Sequence, residues 1–239
     1  MTMRWELIVD GALDGAANMA ADSHLLEQVE ESHNPRTILR FYAWQRPTIS
    51  LGRNQKIDTA VDPDYCRANG IDIVYRPTGG RAVLHDDELT YAVISNDSTA
   101  FGDTIYGNYR RVSEALCRGY HLLGVPAVLA PETRKPVLVN GVDPPCFLST
   151  SRYELTVNGR KIAGSAQRRV RRTFLQHGSL PITCNRVALA GATRLADAAS
   201  LEQEMAGVAE FLPERPSIDR LKEVFIRAFR DHFSVDFML

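Results

Sequence analysis

Hydrophobic residues recur at helical spacing in three stretches of the chain. Over residues 14–31, Ala17, Ala20, Ala21, Leu25 and Val29 share one face, and Asp14 stands where an N-cap belongs. Tyr109, Val112, Leu116, Tyr120 and Leu123 predict a second helix over 109–123. Leu221, Val224, Phe225, Ala228 and Phe229 predict a third over 217–233. Shorter patterns lie between them. Residues 71–75 (IDIVY) alternate, and 48–51 and 89–95 (LTYAVIS) are rich in strand formers. Residues 37–44 (TILRFYAW) also predict a strand, although Ile38, Arg40 and Phe41 mix without clean alternation. Residues 153–157 alternate and run into Asn158-Gly159, a pair suited to a type I′ hairpin turn, where both positions need φ > 0. The return strand begins at Arg160-Lys161-Ile162, and residues 173–182 predict a third strand completing an antiparallel meander. Pro131, Pro136, Pro144 and Pro145 make residues 131–151 a long irregular loop. Hairpins with helices at the two ends argue for an α+β fold, mixed or antiparallel sheets with flanking helices, over a repeated βαβ unit.

Composition narrows the class. The chain has 239 residues, 44% hydrophobic and 24% charged, which excludes a disordered, fibrous or coiled-coil protein. With no internal repeat or low-complexity linker, residues 1–239 read as a single catalytic-size domain. The net charge of −1 gives no argument for nucleic acid as a partner. No apolar run approaches the ~18 residues of a membrane span. The opening MTMRWELIVD lacks the apolar core of a secretory signal, so a cytoplasmic protein with no membrane partner is expected. Cys66, Cys117, Cys146 and Cys184 are far apart with no CxxC, which predicts free thiols and no metal site.

Three segments hold candidate chemistry. In residues 76–91 (RPTGGRAVLHDDELTY), Gly79-Gly80 allows close backbone approach to a ligand, and Arg76, Arg81 and His85 surround it. No GK[ST] follows and no GxGxxG is present, so alone this reads as a tight turn with a charged rim. In residues 159–172 (GRKIAGSAQRRVRR), the strand pleat fixes the direction of Lys161, which alone reads as a solvent-facing strand lysine. Gly164-Ser165-Ala166 leaves room beside it, and His177-Gly178 follows on the next predicted strand. Cys146 lies in the proline-rich loop, whereas the other cysteines lie in or beside regular elements. A loop thiol becomes reactive where cationic groups favour its thiolate.

Taken together, these segments resemble the lipoate/octanoate attachment family of lipoate–protein ligases and octanoyltransferases, which share a biotin-ligase-like catalytic domain. The resemblance rests on RPTGGRAVLHDDELTYAV, GRKIAGSAQRR and LQHGSL in that order, with DGAANMA at 14–20 and RPTISLG at 46–52. It covers residues from about Trp5 to Leu180. It implies a class II aminoacyl-tRNA synthetase/biotin synthetase-like fold. Ligases of the family commonly carry Gly-Gly-Gly followed by His-Asp-x-Gly-Asn. This chain has Gly79-Gly80-Arg81 and His85-Asp86-Asp87-Glu88, similar to the octanoyltransferase branch of Gram-positive bacteria. In that branch a cysteine precedes the YEL…GRKIAGSAQ strand pair, and Cys146 holds that place, 15 residues before Lys161 (161 − 146).

The resemblance implies transfer of octanoate from octanoyl acyl carrier protein to a lysine of a lipoyl domain or glycine cleavage H protein, without a cofactor. Cys146 would carry the acyl group and Lys161 would assist it. Arg76, Gly79, Gly80, Arg81, His85, Gly164, Ser165, Ala166, His177 and Gly178 would bind substrate. Backbone N–H groups at Gly79-Gly80 or at Gly164-Ser165 are both open as oxyanion donors. Val83, Leu84, Tyr91, Val93 and Ile162 are expected either along an acyl tunnel or in the core. Arg168, Arg169, Arg171 and Arg172 form a basic run, either steering an acidic carrier protein or a solvated rim. The alternatives are an ATP-dependent lipoate ligase, an amidotransferase between lipoyl proteins, and a non-catalytic accessory protein.

Overall fold

Each element forms where the local sequence closes its own hydrogen bonds. In the computed structural model, which describes residues 3–131, 153–195 and 198–238, β1 (Met3–Leu13) leads into α1 (Gly15–Glu31). The side chain of Asp14 caps α1, accepting from the Ala17 N–H at 2.7 Å. β2 (Thr37–Trp44) and β3 (Thr48–Gly52) follow, then α2 (Ile57–Ala60) and α3 (Pro63–Ala68). β4 (Asp72–Arg76), β5 (Val83–His85) and β6 (Glu88–Ser95) come next, then α4 (Ser98–Phe101), α5 (Ile105–Leu122) and β7 (Val128–Leu129). The chain continues through β8 (Leu155–Val157), β9 (Arg160–Lys161), β10 (Gly164–Val170) and β11 (Thr173–Pro181). α6 (Arg186–Ala192), α7 (Ser200–Glu204), α8 (Ile218–Phe233) and β12 (Val235–Met238) complete it.

The main sheet has six strands in the order β10-β11-β6-β2-β1-β12. Its β1–β2 and β1–β12 pairs are parallel and the remaining pairs antiparallel. Leu39 and Phe41 of β2, with Leu89, Tyr91 and Val93 of β6, point to the side covered by α5 and α8. Ile38, Tyr42, Ala92 and Ile94 point to the opposite side, under Met19, Leu26 and Val29 of α1. Both faces are therefore covered, which is why residues 37–44 show no clean polar–apolar alternation. A second sheet, β4-β3-β5, carries the Gly79-Gly80 turn, and a third joins β7, β8 and β9. No helix among the described residues is long and apolar enough to cross a membrane.

The structure bears out the α+β architecture and departs from the expected elements in several places. β1, β5, β7, β10 and β12 are strands the pattern did not predict. β1 is largely half-exposed and lacks an alternating face, and β10 is built of small and charged residues. α5 starts a turn earlier than expected, because Thr104 caps it by accepting from the Gly107 N–H. The expected meander is corrected. β8 and β9 do form a hairpin, with Asn158 at φ +50° and Gly159 at φ +80°. Residues 173–181, however, join the main sheet between β10 and β6.

Gly119 of α5 lies against the ring of Phe225 in α8. A Cβ there would meet the ring carbon Cδ1 at 2.4 Å, and Phe225 is fully buried with no space to retreat into. Gly119→Ala should lower unfolding stability by about 1–2 kcal/mol, overpacking outweighing the better helix propensity of alanine. Urea denaturation checks this. Phe225→Leu in the same chain should make the Gly119→Ala change less costly.

Candidate active site

The site is built where the ends of β3, β5, β6, β10 and β11 converge beneath α1. They line a cleft open to solvent. Its wall includes Met19, Tyr42, Ser50, Arg76, Val83, His85 and Thr90 on one side. Gly164, Ser165, Ala166, His177, Gly178 and Ser179 form the other. Seven of the expected site residues thus meet here: Arg76, His85, Gly164, Ser165, Ala166, His177 and Gly178.

Two carboxylates orient the two histidines. Asp22, fully buried on α1, accepts from Arg40 Nη1 at 2.7 Å, from the Tyr42 hydroxyl at 3.0 Å and from His177 Nδ1 at 2.7 Å. A carboxylate with those donors only accepts, so His177 carries its proton on Nδ1 and its Nε2 takes the Thr78 hydroxyl at 2.7 Å. Burial holds His177 below the ordinary histidine range, against the opposing pull of Asp22. His85 repeats the arrangement. Its Nδ1 faces Glu88 Oε1 at 2.8 Å, its Nε2 faces Ser50 Oγ at 2.8 Å, and Trp44 stacks on the ring at 4.1 Å. Glu88 is fixed in turn by the hydroxyls of Thr90 and Ser179. Both imidazoles are therefore engaged at both nitrogens and shape the cleft.

Arg76 acts on the glycine turn. Its guanidinium donates to the carbonyls of Gly79 at 2.7 Å, Arg81 at 2.8 Å and Ser50 at 2.8 Å. Gly80 adopts φ +94°, and its carbonyl lies 2.0 Å from where a Cβ at Gly52 would be. Only glycine at position 52 lets the turn pack this closely. Gly79, Gly80 and Arg81 do not line this cleft; Arg76, which does, is hydrogen-bonded to the carbonyls of Gly79 and Arg81. On the far wall, Gly178 pairs with Ser165 on one side and Tyr91 on the other. A Cβ at Gly178 would strike the Gly164 carbonyl at 2.5 Å. Burial pushes the Tyr91 phenol up to about 12, so it stays protonated; its hydroxyl shares a hydrogen bond with Ser165 Oγ at 2.8 Å. Of the expected acyl-tunnel residues, Val83 lines the cleft, whereas Tyr91, Val93 and Ile162 belong to the core and Leu84 packs against two smaller apolar clusters.

Lys161 departs from the solvent-facing reading. It is 0% exposed, and its Nζ lies 2.8 Å from Oε1 of Glu154, itself 4% exposed. β9 reaches this buried position because Lys161 pairs with Thr156 across the hairpin and its carbonyl accepts from Ala206 N–H. Three residues further on, Gly164 lines the cleft, and the Tyr91 hydroxyl that holds Ser165 lies within the field of Glu154. Glu154 was not picked out from the sequence, where it is one residue of a predicted strand within YEL; the position opposite Lys161 across the turn is Thr156. Cys146 lies outside the described residues. The basic run is partly tied down: Arg168 donates to the Pro77 carbonyl, Arg169 to the Asp103 carbonyl, and Arg171 pairs with Glu30.

Residues 14–230 match the model of the lipoyl protein ligase A/B catalytic domain. The chain belongs to that family. It is 38% identical over 242 residues to octanoyltransferase LipM of Moorella thermoacetica, covering 98% of this chain and 88% of that protein. Identity to octanoyltransferase LipM of Carboxydothermus hydrogenoformans is 36% at the same coverage. Among solved structures it resembles a lipoate-protein ligase A bound with ATP, with TM-score 0.78, 26% identity and coverage of 99% of this chain and 88% of that one. The bipartite lipoate protein ligase of Thermoplasma acidophilum shares the fold, with TM-score 0.76, 24% identity and coverage of 99% and 86%.

The neutral His177 has a measurable consequence. An unfolded histidine takes up a proton below about 6.5, and folded His177 does so only at lower pH. Between those limits the unfolded chain binds more protons, so stability falls as pH falls below about 6.5. His232, also lowered by burial, acts in the same direction. Chemical denaturation at pH 7.5, 6.5 and 5.5 should show a steeper loss in the wild type than in His177→Gln, by up to about 1 kcal/mol per pH unit.

Proposed function

We propose that this protein is an octanoyltransferase that moves octanoate from octanoyl acyl carrier protein to a lysine of a lipoyl domain through a thioester on Cys146. The observation that carries the reading is a lysine buried against a carboxylate beside a largely apolar cleft, in a chain similar over its length to octanoyltransferases.

The chemistry asks for two steps. The Cys146 thiolate attacks the octanoyl carbonyl and the carrier thiol leaves; the acceptor lysine then attacks the new thioester and the Cys146 sulfur leaves. The first step exchanges one thioester for another and the second forms a more stable amide, so no nucleotide is required. An ordinary cysteine, with a pKa of about 8.5, is mostly protonated at neutral pH. The Lys161 ammonium would favour its thiolate, and Lys161 as an amine would take the acceptor's proton. The cleft would hold the alkyl chain, each buried CH₂ contributing about 0.8 kcal/mol. Gly164-Ser165 line the cleft and Gly79-Gly80 do not, which favours the backbone N–H groups near Gly164-Ser165 for the oxyanion role. The acceptor class, a lipoyl-domain protein, follows from the family; a glycine cleavage H protein carries the same kind of lysine.

The likeness to a lipoate-protein ligase bound with ATP favours a second reading, an ATP-dependent ligase. One experiment separates the two. Incubation with octanoyl carrier protein and no nucleotide should add a single octanoyl mass, mapped by peptide mass spectrometry to Cys146. Cys146→Ala should abolish both the adduct and transfer. Lys161→Ala should slow turnover by about 100-fold or more. Activity that needs ATP and survives Cys146→Ala would establish the ligase instead.

A further inference from the structure

We propose that Glu154 is the proton-holding partner of Lys161: the carboxylate that fixes its ammonium and accepts its proton when Lys161 must act as a base. This rests on the reading of Lys161 given above. The observation is geometric. Lys161 Nζ and Glu154 Oε1 are 2.8 Å apart, at 0% and 4% exposure. Lys161 lies on β9 opposite Thr156, and Glu154 directly precedes β8 on the other side of the Asn158-Gly159 turn, so the two residues are near neighbours along the chain.

A buried lysine faces a conflict that an exposed one does not. Its charged form favours a neighbouring thiolate, but accepting a proton from the incoming amine requires the neutral form. Solvent cannot easily take the surplus proton away from a site with no exposure. A carboxylate at hydrogen-bond distance resolves the conflict, because the ion pair and the neutral amine–carboxylic acid pair differ only by one proton moved along the bond. The low dielectric of a buried site brings the two forms closer in energy than they are in water.

The proton balance closes without another reactant. The pair shifts from Lys161–NH₃⁺ and Glu154–COO⁻ to Lys161–NH₂ and Glu154–COOH. The acceptor amine forms its C–N bond to the thioester carbon and gives a proton to Lys161 Nζ. The C–S bond breaks, and Lys161 passes that proton to the departing sulfur. The retained proton then returns from Glu154 to Lys161. The products are the amide and the free thiol, and Glu154 ends ionised as it began. Glu154 acts through Lys161, as a positioning residue that also stores charge.

The test is steady-state octanoyl transfer to a purified lipoyl domain, with wild type, Glu154→Asp and Glu154→Gln compared. Glutamine keeps a hydrogen-bond acceptor for Nζ but cannot hold the proton. The expected order of kcat is wild type, then Asp, then Gln, with losses of about 10-fold and about 100-fold, and KM for the lipoyl domain unchanged. A folded Glu154→Gln with wild-type kcat, or one altered only in KM, overturns the proposal. If Glu154→Gln fails to fold, Glu154→Asp decides alone: a reduced kcat at constant KM supports the relay, and an unchanged kcat refutes it. Absence of transfer by the wild type would instead refute the octanoyltransferase reading itself.

Discussion

The carboxylate of Asp22 is the point on which the cleft depends. It is fully buried and joins three elements through one group: Arg40 and Tyr42 from β2, and His177 from β11, all held to α1. A carboxylate so placed is stable only because its lone pairs are met by a guanidinium, a phenol and an imidazole. Arg40 is as buried as Asp22, and Asp10 adds a second acidic partner to it. Removal of Arg40 would leave the Asp22 charge buried without its cation. The network therefore ties the roof of the cleft to its wall and leaves His177 one protonation state.

A similar economy governs the second buried pair. Lys161 and Glu154 are seven residues apart in sequence, across the Asn158-Gly159 turn. The Asp22 network spans residues far apart in sequence, whereas this pair is local.

Much of this was legible in the chain. The helix cap at Asp14, the Asn158-Gly159 turn and the alternation of strand residues are local signals, and the structure follows them. The strands that escaped notice are those whose stability comes from neighbours. β1 is sandwiched between β2 and β12, and β10 is paired to β11 through backbone atoms that small and arginine side chains do not advertise. Among site residues, those on the cleft wall were found as motifs. The glycine turn was placed in the site from its motif; in the structure it does not line the cleft and is joined to it through Arg76. Glu154 escaped because a carboxylate in a predicted strand has no local mark of burial, and Lys161 had none either.

The bare backbone of the cleft also limits how the protein can diversify. At Gly52 and Gly178 the obstruction to a side chain is main-chain oxygen, which no repacking of neighbours removes. On the proposed reading of the cleft as the acyl site, altered selectivity for acyl length or branching arises elsewhere on the wall. Met19 and Val83 are apolar side chains facing the cavity, and the thioether of Met19 has three rotatable bonds with which to adapt. Paralogues tuned to longer or bulkier acids would be expected to vary at those two positions while both glycines stay constant.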